Sequence, residues 1–112
     1  MAIYADIIAD QGSNFSSEIT VTDVDDSPID LTNYTARGQI RRTYTSSNAT
    51  SFTAAINNPT SGIVSISLTS ATTTNMKPGR YVYDVEIVSN TNIVIRVIEG
   101  QFILTPSVTR ID

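Results

Sequence analysis

Apolar and polar side chains alternate along Arg80–Val88, with Tyr81, Tyr83, Val85 and Ile87 on odd positions and Asp84 and Glu86 on even ones. A period of two belongs to a strand, whose successive side chains point to opposite faces; a helix repeats every 3.6 residues. Ile93, Ile95 and Val97 resume the odd pattern after the turn signal Ser89–Asn92, so the two runs read as a hairpin. Holding both apolar sets on one face requires odd residues to pair with odd, because a slip of one residue turns a whole set toward water. The loop must then hold an odd number of residues: Ser89–Thr91, or a five-residue loop extending it by one at each end. Asn90 or Asn92 supplies a left-handed residue. This register places Arg96 opposite Asp84, and it calls for a bulge at Gly100, since Phe102 and Leu104 otherwise continue the wrong parity.

The rest of the chain is written in the same way. Ile3–Ile8, Glu18–Val24, Tyr34–Tyr44, Ser51–Ile56, Gly62–Leu68 and Gln101–Thr105 are short runs rich in β-branched or aromatic residues. Between them, Gln11–Asn14, Asp25–Pro28, Ser46–Asn48, Asn57–Ser61 and Pro78–Gly79 carry the Gly, Pro, Asn, Asp and Ser of turns. Seven to eight strands at this spacing predict an all-β fold, an immunoglobulin-like antiparallel β-sandwich. Parity places Ile40, Phe52, Ile66, Tyr81, Val85, Ile95 and Val97 inside it. Thr69–Met76 is the one candidate for helix, held to a single short turn because the branched Cβ of Thr crowds the preceding turn. Its Thr72–Thr74 run reads as a polar connector, with a hydroxyl ladder on a repetitive ligand as the alternative.

Length and composition narrow this picture. At 112 residues the chain fits one domain, 1–112, with no room for a second core. There is no Cys and no His, which removes disulfides, thiolate and imidazole catalysis, the Ser-His-Asp triad and nearly all zinc and non-haem iron ligand sets. No cofactor is expected. The net charge of −4 repels nucleic-acid phosphates. No apolar run approaches the roughly 20 residues of a membrane-spanning helix, and the acidic N-terminus lacks a signal peptide's basic start. The expected setting is a cytosol, or release from one by lysis, with neither nucleic acid nor membrane as partner.

Several blocks in order carry a resemblance. Ser27-Pro28-Ile29-Asp30-Leu31-Thr32, then Tyr34-Thr35-Ala36-Arg37 with Gln39-Ile40-Arg41, are followed by Gly62–Leu68 and by Pro78-Gly79-Arg80-Tyr81-Val82-Tyr83-Asp84-Val85-Glu86. Glu99-Gly100 and Pro106-Ser107-Val108-Thr109-Arg110 complete the set. From Asp23 to Arg110 the sequence resembles a recurrent family of small phage virion domains, similar to the N-terminal domain of siphophage baseplate upper proteins. The resemblance implies an immunoglobulin-like fold, a location in the virion and other virion proteins as partners, with multiple copies or a homo-oligomer on the particle. Asn33 stands where the family has a turn Gly, a mild change because Asn also adopts the left-handed conformation. In baseplate proteins the domain begins a longer chain, whereas this sequence ends two residues after Arg110. The expectation is therefore a free-standing accessory, capsid decoration or neck, tail or baseplate adaptor subunit that works by docking.

Candidate sites follow from residue types. Tyr34, Arg37, Arg41, Arg42 and Tyr44 form the one basic and aromatic concentration. Arg37 and Arg41 share a parity and Arg42 has the other, so the cluster is split between faces; that suits protein-interface anchors better than a nucleic-acid groove. Asp23, Asp25, Asp26 and Asp30 supply calcium-type ligands, but Pro28 occupies the place where the calcium loop needs Gly. Capping of backbone N–H groups in a turn is the simpler reading. Asp84 and Glu86, two apart on one face, have the spacing of a glycosidase pair, yet there is no Trp to stack a sugar and Arg96 is a nearer partner. The functions in play are a virion structural subunit, a carbohydrate- or host-surface-binding module as the alternative, and an enzyme last; no catalytic residue is assigned.

Overall fold

The computed structural model describes residues 3–108 and forms two packed sheets. In the larger sheet, β1 (Ile3–Tyr4) and β2 (Ile7–Asp10) both lie along β9 (Val94–Thr105), followed by β8 (Gly79–Val88), β4 (Thr35–Arg41) and the two-residue β5 (Thr50–Ser51). The smaller sheet has the order β3 (Phe15–Thr20), β7 (Ile63–Leu68), β6 (Thr53–Asn58). This is an all-β immunoglobulin-like sandwich. Two features depart from a wholly antiparallel reading: β1 and β2 run parallel to β9, with Ile3 beside Ile98 and Ile7 beside Phe102. Periodicity specifies a strand but not its direction, and the N-terminal segment finds its partner at the far end of the chain. The expected strand Glu18–Val24 begins earlier, at Phe15, because Ile19 and Phe15 share the core-facing parity.

The core lies between the sheets. Ile40, Phe52, Ile66, Val85 and Val97 are buried as their parity requires, and Tyr81 is half-buried against them. Phe15, Phe52, Phe102 and Tyr83 form an aromatic cluster with ring centroids 5.8–6.2 Å apart, mostly edge to face. Phe52 sits where the chain leaves β5 in one sheet for β6 in the other, so its ring fills the space between them. Gly38 admits that ring: a Cβ there would lie 3.0 Å from Phe52 and 2.9 Å from the Asp84 carbonyl oxygen.

Ile95 corrects the parity reading, at 39% exposed, and Ile93 is exposed as well. The parity is right, but Ile95 lies on the wall of an open groove between the sheets, where the packing leaves it partly in solvent. The β8–β9 register keeps odd opposite odd near the turn, with Val88 beside Val94 and Ile87 beside Ile95 around the five-residue loop 89–93. Asn92 takes the left-handed conformation, φ 66°. Arg96 pairs with Glu86, not Asp84, and the register shift comes at Val97, leaving an unbroken ladder through Gly100, which pairs with Tyr83. The bulge expected at Gly100 is therefore three residues early. It still does the required work: beyond it the buried set of β9 becomes even, Gly100, Phe102 and Leu104. Gly100 serves a different need. A Cβ there would sit 2.1 Å from the Ala5 carbonyl oxygen, at the point where the chain passes between β1 and β2.

Connections carry the remaining order. Thr69 caps α1 (Ser70–Asn75), its hydroxyl accepting the Thr72 N–H. Thr73 is fully buried; its hydroxyl accepts from Gly12 N–H at 3.0 Å and donates to the Ser13 carbonyl at 2.9 Å, which ties the helix to the β2–β3 turn. These contacts make the Thr run a connector. At the corner that follows, the Tyr81 hydroxyl donates to the Lys77 carbonyl at 2.5 Å, the tyrosine corner of immunoglobulin-like sandwiches.

Candidate interaction surface

The outer face of the larger sheet gathers most of the residues singled out from the sequence. On β4, Arg37, Gln39 and Arg41 point outward while Gly38 and Ile40 point in. Across the ladder, Arg37 stands opposite Glu86, and its Nε donates to Oε1 at 2.9 Å. Arg41 turns the other way: its guanidinium donates to the Ser46 carbonyl at 2.6 Å and to Gln39 Oε1 at 3.0 Å, clamping the loop after β4. Tyr44, on that loop, is 77% exposed. It borders a shallow groove of about 350 Å³ with Arg41, Asp84, Arg96 and Glu99.

Arg42 has the opposite parity and leaves this face. Its guanidinium lies 4.9 Å above the Tyr81 ring, a cation–π contact at the sheet's other side. Tyr34 is half-buried against the core, and its N–H donates to the Leu31 carbonyl. The structure thus brings Arg37, Arg41 and Tyr44 together on one face and separates Arg42 and Tyr34 from them. Asn33, just before, adopts φ 68°, the left-handed turn expected where a Gly is usual.

Electrostatically the face is a mosaic, with Arg37, Arg41 and Arg96 interleaved with Asp84, Glu86 and Glu99. Arg96 Nε lies 3.4 Å from Asp84 Oδ2, and its Nη1 lies 3.6 Å from Glu99 Oε1. Asp84 and Glu86 each face an arginine, as a structural ion network has it. Partial burial raises the Asp84 carboxyl above its ordinary value; Arg96 and Arg41 oppose that effect, and Glu86 and Glu99 add to it. Exposed pairs of this kind contribute little to stability and more to orienting a partner.

The acidic loop behaves as a turn. Asp23 Oδ1 accepts the N–H groups of Asp25 and Ser27 at 2.8 and 3.1 Å, and Asp30 Oδ1 accepts both the N–H and the hydroxyl of Thr32, which lowers its pKa. Asp26 takes φ 61°. Among the described residues no group of three or more acidic side chains is placed to hold a metal ion.

Sequence reasoning missed an apolar groove of about 490 Å³ at one end of the sandwich, lined by Ile3, Ile19, Val21, Val24, Ile95 and Val97 among others. Its residues come from four separate segments, and only Val24, fully exposed in an acidic loop, carried a local signal.

No family model matches the sequence, and no curated protein does. Among solved structures, the chain is similar to a family 123 glycoside hydrolase from Clostridium perfringens, described in connection with glycolipid glycan hydrolysis, at 17% identity and a TM-score of 0.45. The match covers 96% of this chain and 23% of that one, so the chain spans about a quarter of the hydrolase's length.

Proposed function

We propose that this chain is a structural part of a phage particle, an accessory, decoration or neck, tail or baseplate adaptor that docks onto other virion proteins. One observation carries the reading. Three of the blocks that resemble phage virion domains fall on neighbouring strands of the larger sheet: Thr35–Arg41 is β4, Gly79–Glu86 lies in β8, and Glu99-Gly100 lies in β9, while the block Gly62–Leu68 supplies β7 of the smaller sheet. These three segments are adjacent strands of one sheet, and its outer face is the charged mosaic around Arg37, Arg41 and Tyr44. Such a face suits docking: the interleaved charges select register, and an exposed Tyr beside Arg has the composition of an interface anchor. The carboxylates of this face pair with arginines, Glu86 with Arg37 and Asp84 with Arg96, which suits a charge mosaic that orients a partner.

The test is sedimentation of the purified protein with particles of the source phage, followed by a map of the decorated particle. Association in fixed stoichiometry is the expected outcome. Retention on a glycan array without association with particles would overturn the reading in favour of a carbohydrate- or host-surface-binding module, and turnover of a glycan would move it to an enzyme.

A further inference from the structure

We propose that the free edge of β3, together with the apolar groove beside it, accepts an extended segment of a partner protein as an added strand, a segment with alternating apolar residues flanked by Lys or Arg. This deepens the docking role proposed above and rests on it.

The backbone comes first. In an antiparallel ladder, alternate residues turn their N–H and C=O groups toward the partner strand and the others turn them away. The β3–β7 register, extended by the bond from Val21 N–H to the Gly62 carbonyl, makes Phe15, Ser17, Ile19 and Val21 the residues that face β7. The N–H and C=O groups of Ser16, Glu18 and Thr20 therefore point outward, away from β7, and among the described residues β3 has no strand on that side. The N-terminal segment pairs with β9 in the other sheet.

The other sheet edges are blunted. β6 has a register shift between Ala55 and Asn58 and runs into a 3-10 turn at Pro59–Ser61, β5 has two residues, and the β1–β2 edge is interrupted between Tyr4 and Ile7. β3 is six residues long, with no Pro, Gly or shift. A long regular edge is what strand addition requires and what proteins otherwise avoid.

The groove supplies the second half. It opens beside the C-terminal end of β3, with Ile19, Val21 and Val97 deep in it and the exposed Ile3, Val24 and Ile95 along its walls. A strand laid on β3 would direct every second side chain toward this groove, where apolar groups leave water.

Charge selects the occupant. Glu18 lies on the edge itself, and Asp23, Asp25 and Asp26 rim the groove's end; the ion pairs among the described residues involve none of these four. Arg96, also at the groove, is already placed between Asp84 and Glu99. The uncompensated field is negative, so a basic residue next to the apolar stretch is favoured. Two copies joined edge to edge in antiparallel fashion about Glu18 would instead set their Glu18 side chains opposite each other, each on a chain of net charge −4.

The test is selection of a random-peptide display library on the immobilised full chain. The expected result is enrichment of peptides with alternating apolar residues and a flanking Lys or Arg, whose binding protects the amides of Ser16, Glu18 and Thr20 from hydrogen exchange. Glu18→Pro removes one outward N–H and leaves the β3–β7 bonds in place; it should weaken binding roughly three- to tenfold. Ile95→Lys, at an exposed groove wall, should weaken it comparably, and a thermal melt of each variant checks folding. The inference is overturned by no enrichment, by peptides that bind both folded variants as tightly as the parent, or by protection of these amides through self-association alone. Its failure is separable from that of the docking role. Equal incorporation of folded Glu18→Pro and parent protein into particles would sink the edge and leave docking intact, whereas a parent that ignores particles would sink docking.

Discussion

Gly100 and Tyr83 form one junction seen from two sides. Gly100 lacks a side chain because the Ala5 carbonyl occupies its place, and the Tyr83 hydroxyl donates to that same carbonyl at 2.6 Å. Gly100→Ala should lower stability by roughly 1–3 kcal/mol through forced displacement of the N-terminal strand, read as a lower denaturation midpoint. An unchanged midpoint would mean that this crossing is slack. Burial, helped by Asp6 and Tyr4, pushes the Tyr83 phenol up to about 12. An unfolded tyrosine titrates near 10, so the folded state holds this proton more tightly. Its stabilising contribution is complete below the unfolded value and is lost as pH rises through about 12. Denaturant titrations at increasing alkaline pH should therefore show a stability loss that Tyr83→Phe lacks; the same slope in both proteins would assign it elsewhere.

Among the elements, α1 shows how a connector earns its order from one side chain. Thr73 is buried with its hydroxyl both accepting and donating across to the β2–β3 turn. Thr73→Val keeps the shape and strands those partners, at a cost of about 1–3 kcal/mol, whereas Thr73→Ser should lose much less because the hydroxyl persists. Equal melting temperatures for the two variants would remove the hydrogen bonds from the explanation. The β8–β9 hairpin gives a second lesson. The apolar alternation required odd to meet odd around the turn and a parity switch before Phe102, and both occur. The switch falls at Val97 because Gly100 is committed to the close approach of Ala5 and stays in the ladder.

For the whole molecule, the question is which surface meets its neighbours. Replacing Arg37 and Arg41 together with Ala should reduce incorporation into particles severalfold, an effect on the scale of one or two lost exposed ion pairs with the partner, with little change in the melting temperature. Arg37 is exposed and its pair with Glu86 is solvent-screened, so stability has little to lose. The Arg41 clamp on the Ser46 carbonyl orders a surface loop. Incorporation equal to that of the parent would take both arginines out of the interface.

The sequence alone determined what depends on neighbours along the chain. Alternation identified the strands and their inner faces, the hairpin loop offered Asn90 or Asn92 for a left-handed residue and Asn92 takes it, Asn33 is a type able to adopt that conformation, and the Asp side chains of the 23–30 loop announced self-capping, because each is decided within a few residues. The tertiary structure decided what depends on distant segments meeting. Parity said that Ile95 faces the core side but not that an open groove lies there between the sheets. It gave no direction to the N-terminal strand, since parallel pairing with β9 joins residues separated by nearly the whole chain. The free β3 edge and its groove belong to the same class, since the order of strands within each sheet joins distant segments and no local pattern records where a strand goes.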